Sequence, residues 1–166
     1  MRKVLFLMIA IVALWGCNNK KAYNDKLKKI TEIMAEITYF SGHITDNYLE
    51  VWRTAIYEKE YQGNYCSSFN EALEKHQELV KGTSLHQTIH LKKDTLDILV
   101  RELKDYPSKY ENACNEAISL YTDVDQLVEY ADSPSGSLTS YSAGTTDLVV
   151  SITKKIKEFR LKYIDE

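Results

Sequence analysis

From Leu27 onward the apolar residues of this 166-residue chain fall at steps of three and four: Leu27, Ile30, Met34, Ile37, Ile44, Tyr48, Val51 and Ala55, with Ser41 the one polar member. Side chains so spaced share one face of a helix, so the pattern predicts an amphipathic helix over residues 22–61, about 60 Å long. Gln62-Gly63-Asn64 stops it. Beyond that stop, three serines each precede Glu or Gln by three positions: Ser68 with Glu71, Ser84 with Gln87, and Ser108 with Glu111. This is the spacing of a capping box, in which the hydroxyl and the carboxyl or amide satisfy free amides at a helix start. Each follows a plausible stop at Gly63-Asn64, Lys81-Gly82 or Tyr106-Pro107.

Residues 68–105 admit two readings, one long helix with Gly82 inside it or two helices. The apolar stripe Phe69, Leu73, His76 and Val80 is roughly 160° out of phase with the stripe Leu85, Ile89, Leu96, Leu99 and Leu103, which favours a break near Gly82 and Thr83. If the chain also turns back there, Cys66 and Cys114 come to similar heights. Two readings of these cysteines then stay open: a disulfide, or two free thiols serving as small apolar side chains. One continuous helix would hold them roughly 45 to 50 Å apart, beyond any bridge.

After Ser108 the residues Tyr110, Ala113, Ala117, Leu120, Val124, Leu127 and Ala131 keep helical spacing. The stretch "DSPSGSLTS" suits a corner that caps a last helix carrying Leu148, Ile152, Ile156, Phe159 and Tyr163 on one face. No segment alternates with period two for long enough to argue a strand. The expected fold is all-α: an elongated antiparallel bundle of four to five helices, one domain over residues 22–166.

The first sixteen residues differ in kind from this body. Arg2 and Lys3 precede an apolar run from Val4 to Leu14, about half of what a membrane-spanning helix needs, and so read as a secretory signal. The run ends at Leu14-Trp15-Gly16-Cys17. It resembles the lipobox of bacterial lipoproteins, which has Leu three positions before Cys and Gly or Ala directly before it; Trp15 departs from the small residue usual between them. The resemblance is confined to residues 1–17. It implies cleavage before Cys17, attachment of diacylglycerol to its sulfur, and a short tether over residues 17–21. Two acyl chains suffice for stable anchoring, since each buried methylene contributes about 0.8 kcal/mol. It further implies an extracytoplasmic protein whose first partner is the lipid bilayer. Asn18, in place of the Asp associated with inner-membrane retention, points to the outer membrane if the source has two.

Charge narrows the partners. The formal net charge of −3 comes from 21 basic and 24 acidic residues; without Arg2 and Lys3 it becomes 19 against 24, or −5. An acidic extracytoplasmic chain is poorly suited to nucleic acid. Lys154, Lys155, Lys157, Arg160 and Lys162 read as the solvated face of the last helix.

Candidate chemistry is sparse. His86, His90 and Asp94 stand at i, i+4 and i+8, one side of a helix, and are weak candidates for a divalent metal, with no fourth ligand in sequence reach; a plain polar face is the simpler reading. The serines of residues 133–142 lack the G-x-S-x-G elbow, and the glycines lack phosphate-binding spacings, so no enzyme and no cofactor is expected. Tyr57, Tyr61 and Tyr65 step by four around the first corner, and a chain folded back at Gly82 brings Tyr106 and Tyr110 to the same end. Tyrosine offers contact area with a polar tip and few rotors, so these five are the candidate partner-binding residues. The leading expectation is a non-enzymatic envelope lipoprotein that binds or scaffolds another envelope protein. The alternative is an extracytoplasmic receptor domain for a small ligand or metal.

Overall fold

The computed structural model describes residues 2–105 and 107–164, with side chains from residue 20 onward. Cys17 therefore lies outside the described side chains, and Tyr106 outside the described residues. Among the described residues there are five α-helices, two 3-10 turns and one two-stranded antiparallel ribbon. The helices are α1 (Arg2–Tyr57), α2 (Phe69–Lys81), α3 (Ser84–Glu102), α4 (Glu111–Asp132) and α5 (Leu138–Tyr163); the ribbon is β1 (Glu60–Tyr61) and β2 (Asn64–Tyr65). No helix among the described residues is long and apolar enough to cross a membrane. The fold class expected from the periodicity, an all-α bundle, is the one observed.

Helix α1 packs against all four other helices. Tyr23, Leu27, Ile30, Met34, Ile37, Ser41, Ile44, Tyr48, Trp52 and Ala55 are all at most 2% exposed, so the stripe read from the sequence is buried along its length, with Trp52 in the core where Val51 was expected. Because partners surround α1 on several sides, burial spreads beyond the stripe to Thr31, Ile33, Thr38, Thr45 and Leu49. The threonines tolerate this by donating to carbonyls of their own helix: Thr38 Oγ1 to Met34 at 2.7 Å and Thr45 Oγ1 to Gly42 at 2.9 Å. Their hydroxyls are satisfied locally, and their methyls pack as apolar groups.

The course of the other helices follows from their partners on α1. Phe69 stacks on Trp52 with ring centroids 6.0 Å apart, His76 meets Tyr48 at 5.2 Å, Lys92 pairs with Glu36, and Glu102 pairs with Lys26. Partner numbers rise along α2 and α3 while the α1 numbers fall. The two helices are thus one broken rod running antiparallel to α1. The break expected at Gly82 and Thr83 is present; the reversal there is not. Gly82 keeps a helical backbone (φ −80°, ψ −9°), and Thr83 alone is extended (φ −79°, ψ 149°). One extended residue rotates the side-chain phase, which accounts for the out-of-phase stripes, without turning the rod back. Reversal comes later, between Leu103 and Tyr110. Helix α4 then ascends and α5 descends, giving an up-down-up-down bundle of four rods.

That course separates the cysteines. Cys66 is buried against Ala55 and Ala72, whereas Cys114 sits beside Leu103 and Tyr110, and Tyr110 stacks on Tyr23 at 4.1 Å. Tyr23 and Ala55 are about 48 Å apart along α1. Both thiols are free, and a bridge between Cys66 and Cys114 is excluded because the rod does not turn at Gly82.

Two further expectations are corrected. Helix α1 ends at Tyr57, short of residue 61; Lys59 has φ 59°, and Gln62 and Gly63, at φ 51° and 76°, form the two-residue turn of a hairpin in which Glu60 faces Tyr65 and Tyr61 faces Asn64. Of the three expected boxes, Ser68 does cap α2 by accepting from the Glu71 amide, but the Glu71 carboxylate reaches Ser67 and Lys75 instead of Ser68, and these hydrogen bonds lower its pKa to about 2. Thr83, one residue before Ser84, caps α3, and Ser108 opens a 3-10 turn with no side-chain cap. The reciprocal box in the structure is Ser137 with Ser140, at the corner that opens α5.

Polar contacts between rods are concentrated on α4. Lys93 of α3, only 14% exposed, meets Asp97, Asp125 and the Tyr121 hydroxyl. Burial works against its ammonium, but the hydrogen bonds it donates to these three partners prevail and hold its pKa above the ordinary lysine value. On the other side, Lys155 and Lys162 of α5 pair with Asp123 and Glu116 at 2.6 Å each.

Trp52 is 2% exposed and touches rings from α2 (Phe69) and α5 (Tyr141, 5.6 Å), pinning three elements at the end opposite Tyr23. Trp52→Ala is expected to destabilise the chain by about 3 to 5 kcal/mol, measured by chemical denaturation. A loss under about 1 kcal/mol would show that this end contributes little to global stability.

Candidate functional site

Two places on the bundle gather groups able to recognise something. The first is the hairpin end. Tyr57, the last residue of α1, is 76% exposed, and Tyr65 on β2 is 81% exposed. The third tyrosine, Tyr61, is held inward: its hydroxyl lies 3.4 Å from His76 Nδ1, and its ring meets the imidazole edge-on. An open cleft of about 260 Å³ lies beside Tyr61, lined by Glu50, Val51, Thr54, Gln62, Tyr61 and His76 among others, and does not include Tyr57 or Tyr65. The positive φ values at Lys59, Gln62 and Gly63 set this shape, because they fold the chain tightly enough for β1 to sit on the end of α1 with β2 paired outside it.

Tyr110 does not belong to this end. It stacks on Tyr23 near the opposite end of the bundle, and Tyr23 Oη donates to its carbonyl. The five-tyrosine surface expected from a chain reversed at Gly82 therefore does not form. The exposed pair is Tyr57 and Tyr65.

The second place is where α3 begins and α4 ends. His86 and His90 lie one turn apart on α3, as their i, i+4 spacing requires, with rings 4.5 Å apart. Asp94 of the expected trio is exposed and takes no part. Its place is filled by Asp132, the last residue of α4: Asp132 Oδ1 is 2.9 Å from His86 Nε2 and 3.1 Å from His90 Nε2, and the two Nε2 atoms are 3.3 Å from each other. The cluster is partly sheltered, with side-chain exposures of 14%, 43% and 34% for His86, His90 and Asp132. Gln77 of α2 fixes the end of α4 by donating to the Asp132 carbonyl at 2.6 Å. An open groove of about 500 Å³, lined by Gln126, Glu129, Tyr130, Asp132, Ser133 and Ser135, runs along the end of α4 and includes neither histidine.

Between the two places lies a buried polar seam. The Tyr48 hydroxyl and His76 Nε2 are both buried without a hydrogen-bond partner. Burial, followed by the nearby Asp132 charge, pushes the Tyr48 pKa far above the ordinary phenol value, and burial alone pulls His76 below the ordinary histidine value. A histidine so depressed is protonated more readily in the unfolded chain. Stability from this source is complete above about pH 6.5 and is lost as pH falls from there through the depressed folded value. The melting temperature is expected to drop between about pH 7 and pH 5, and to drop less in His76→Gln. Identical slopes for the two proteins would mean that His76 does not drive the change.

No protein-family model, no curated protein and no solved structure matches this chain.

Proposed function

We propose that the chain is a non-enzymatic lipoprotein of the bacterial envelope that is tethered through acylated Cys17 and holds its hairpin end outward to bind another envelope protein. The observation that carries the reading is the position of Tyr57 and Tyr65, the exposed aromatic pair at the end of α1 remote from Cys17. Tyr23 and Tyr57 are about 50 Å apart along α1, so a membrane at the Cys17 end leaves the hairpin well clear of headgroups. Lys20, Lys21, Lys28 and Lys29, all exposed next to the anchor, suit an anionic lipid surface. The Leu14-Trp15-Gly16-Cys17 resemblance supports the tether.

Intact mass of the protein extracted from its own membranes tests the anchor. A chain lacking residues 1–16 and carrying acyl groups is expected; a full-length or unacylated chain overturns it. Photocrosslinking residues placed singly at positions 57 and 65, and at the exposed Val150 and Leu161 as controls, test the end. One discrete protein adduct from 57 and 65 and none from the controls is expected. Adducts independent of position, or none from 57 and 65, would remove the assignment.

A further inference from the structure

The three-atom constellation of His86, His90 and Asp132 has no role in that tethering scheme, and its geometry makes a demand of its own. Two Nε2 atoms converge on a single carboxylate oxygen, at 2.9 and 3.1 Å, while standing 3.3 Å from each other. Held by hydrogen bonds alone, the two nitrogens compete for one oxygen, with donor and acceptor roles set by the imidazole tautomers. A divalent cation replaces the protons between them and accepts a lone pair from each of the three atoms with little change in their spacing. Donors about 2.0 to 2.1 Å from a tetrahedral ion lie about 3.3 Å from one another, and the three observed edges fall within a few tenths of an ångström of that spacing.

We propose that His86 Nε2, His90 Nε2 and Asp132 Oδ1 bind one zinc-class divalent cation, with a fourth position open to water or a ligand. Two imidazole nitrogens and one carboxylate oxygen select zinc, cobalt, nickel or copper over magnesium and calcium, which take oxygen ligands. The i, i+4 pair is set by α3 before the ion arrives, and Gln77 holds the Asp132 backbone in place. The exposure of His90 and Asp132, 43% and 34% of their side chains, supplies a path for entry. Because Asp132 ends α4, 42 residues from His90, the bound ion staples the start of α3 to the corner that opens α5. It fastens the bundle between the levels marked by the His76–Tyr48 and Lys92–Glu36 contacts.

The test is a titration of the full chain in detergent with Zn(II) by calorimetry and with Co(II) by visible absorption. One equivalent of each is expected, with the intense d–d bands of four-coordinate cobalt and no sulfur charge-transfer band, since neither cysteine takes part. His90→Gln and Asp132→Asn are each expected to weaken binding at least tenfold, whereas Asp94→Asn leaves it unchanged. His90 is the most exposed of the three, so His90→Gln keeps the helical circular dichroism even if Asp132→Asn does not. Absence of saturable binding of both ions at micromolar concentrations overturns the site. So does binding that loses less than tenfold in His90→Gln, which would place the ion elsewhere, or a sulfur band, which would place it on Cys66 or Cys114. In a chain whose Cys17 is not acylated that thiol is removed by Cys17→Ser, so that a sulfur band reports Cys66 or Cys114 and the test stands apart from the tether.

Discussion

The length of α1 is the constraint on which the bundle depends. From Tyr23 to Ala55 one uninterrupted helix carries large buried side chains on more than one face, and each must be covered to stay out of water. No single later helix is long enough to do so. Helices α2 and α3 cover one side in sequence, α5 covers another along most of its length, and α4 fills the space nearer Tyr23. The Trp52 cluster with Phe69 and Tyr141 and the Tyr23–Tyr110 stack close the two ends of this arrangement.

Periodicity made much of this legible. The stripe Leu27, Ile30, Met34, Ile37, Ser41, Ile44, Tyr48 and Ala55, the face Ala113, Ala117, Leu120, Val124, Leu127 and Ala131, and the positions Ile152, Ile156 and Phe159 are buried as their spacing implies, because burial on a helix repeats every few residues and leaves a mark in the sequence. Direction left no such mark. The change of phase between Val80 and Leu85 was real, yet a rotated continuation and a reversal produce the same change. Only the contacts of Phe69, His76, Lys92 and Glu102 with successively earlier residues of α1 distinguish them. The fate of Cys66, Cys114 and the tyrosines depended on that one distinction.

The hairpin and the third member of the histidine cluster were hidden for different reasons. Strands of two residues cannot show alternation, and Gln62-Gly63 reads equally well as a helix stop or a hairpin turn. His86 and His90 were visible as a pair because they share a helix, and local spacing then pointed to Asp94. Asp132 reaches them only because α4 rises to the level where α3 begins, a matter of helix length and packing that no local spacing encodes.

The break at Thr83 also divides the molecule mechanically. Gly82 and Thr83 bond back to Leu79 and Val80 by short-range turns, and the amide of His86 is taken by the Thr83 hydroxyl, so the α-helical hydrogen-bond ladder does not run unbroken from α2 into α3. Fraying that begins in α2 has no continuous ladder to travel along, and cooperativity between the two halves of the rod must pass through side chains on α1 or through the end of α4. Helix α2 is therefore coupled to α3 through tertiary contacts and not through a shared ladder.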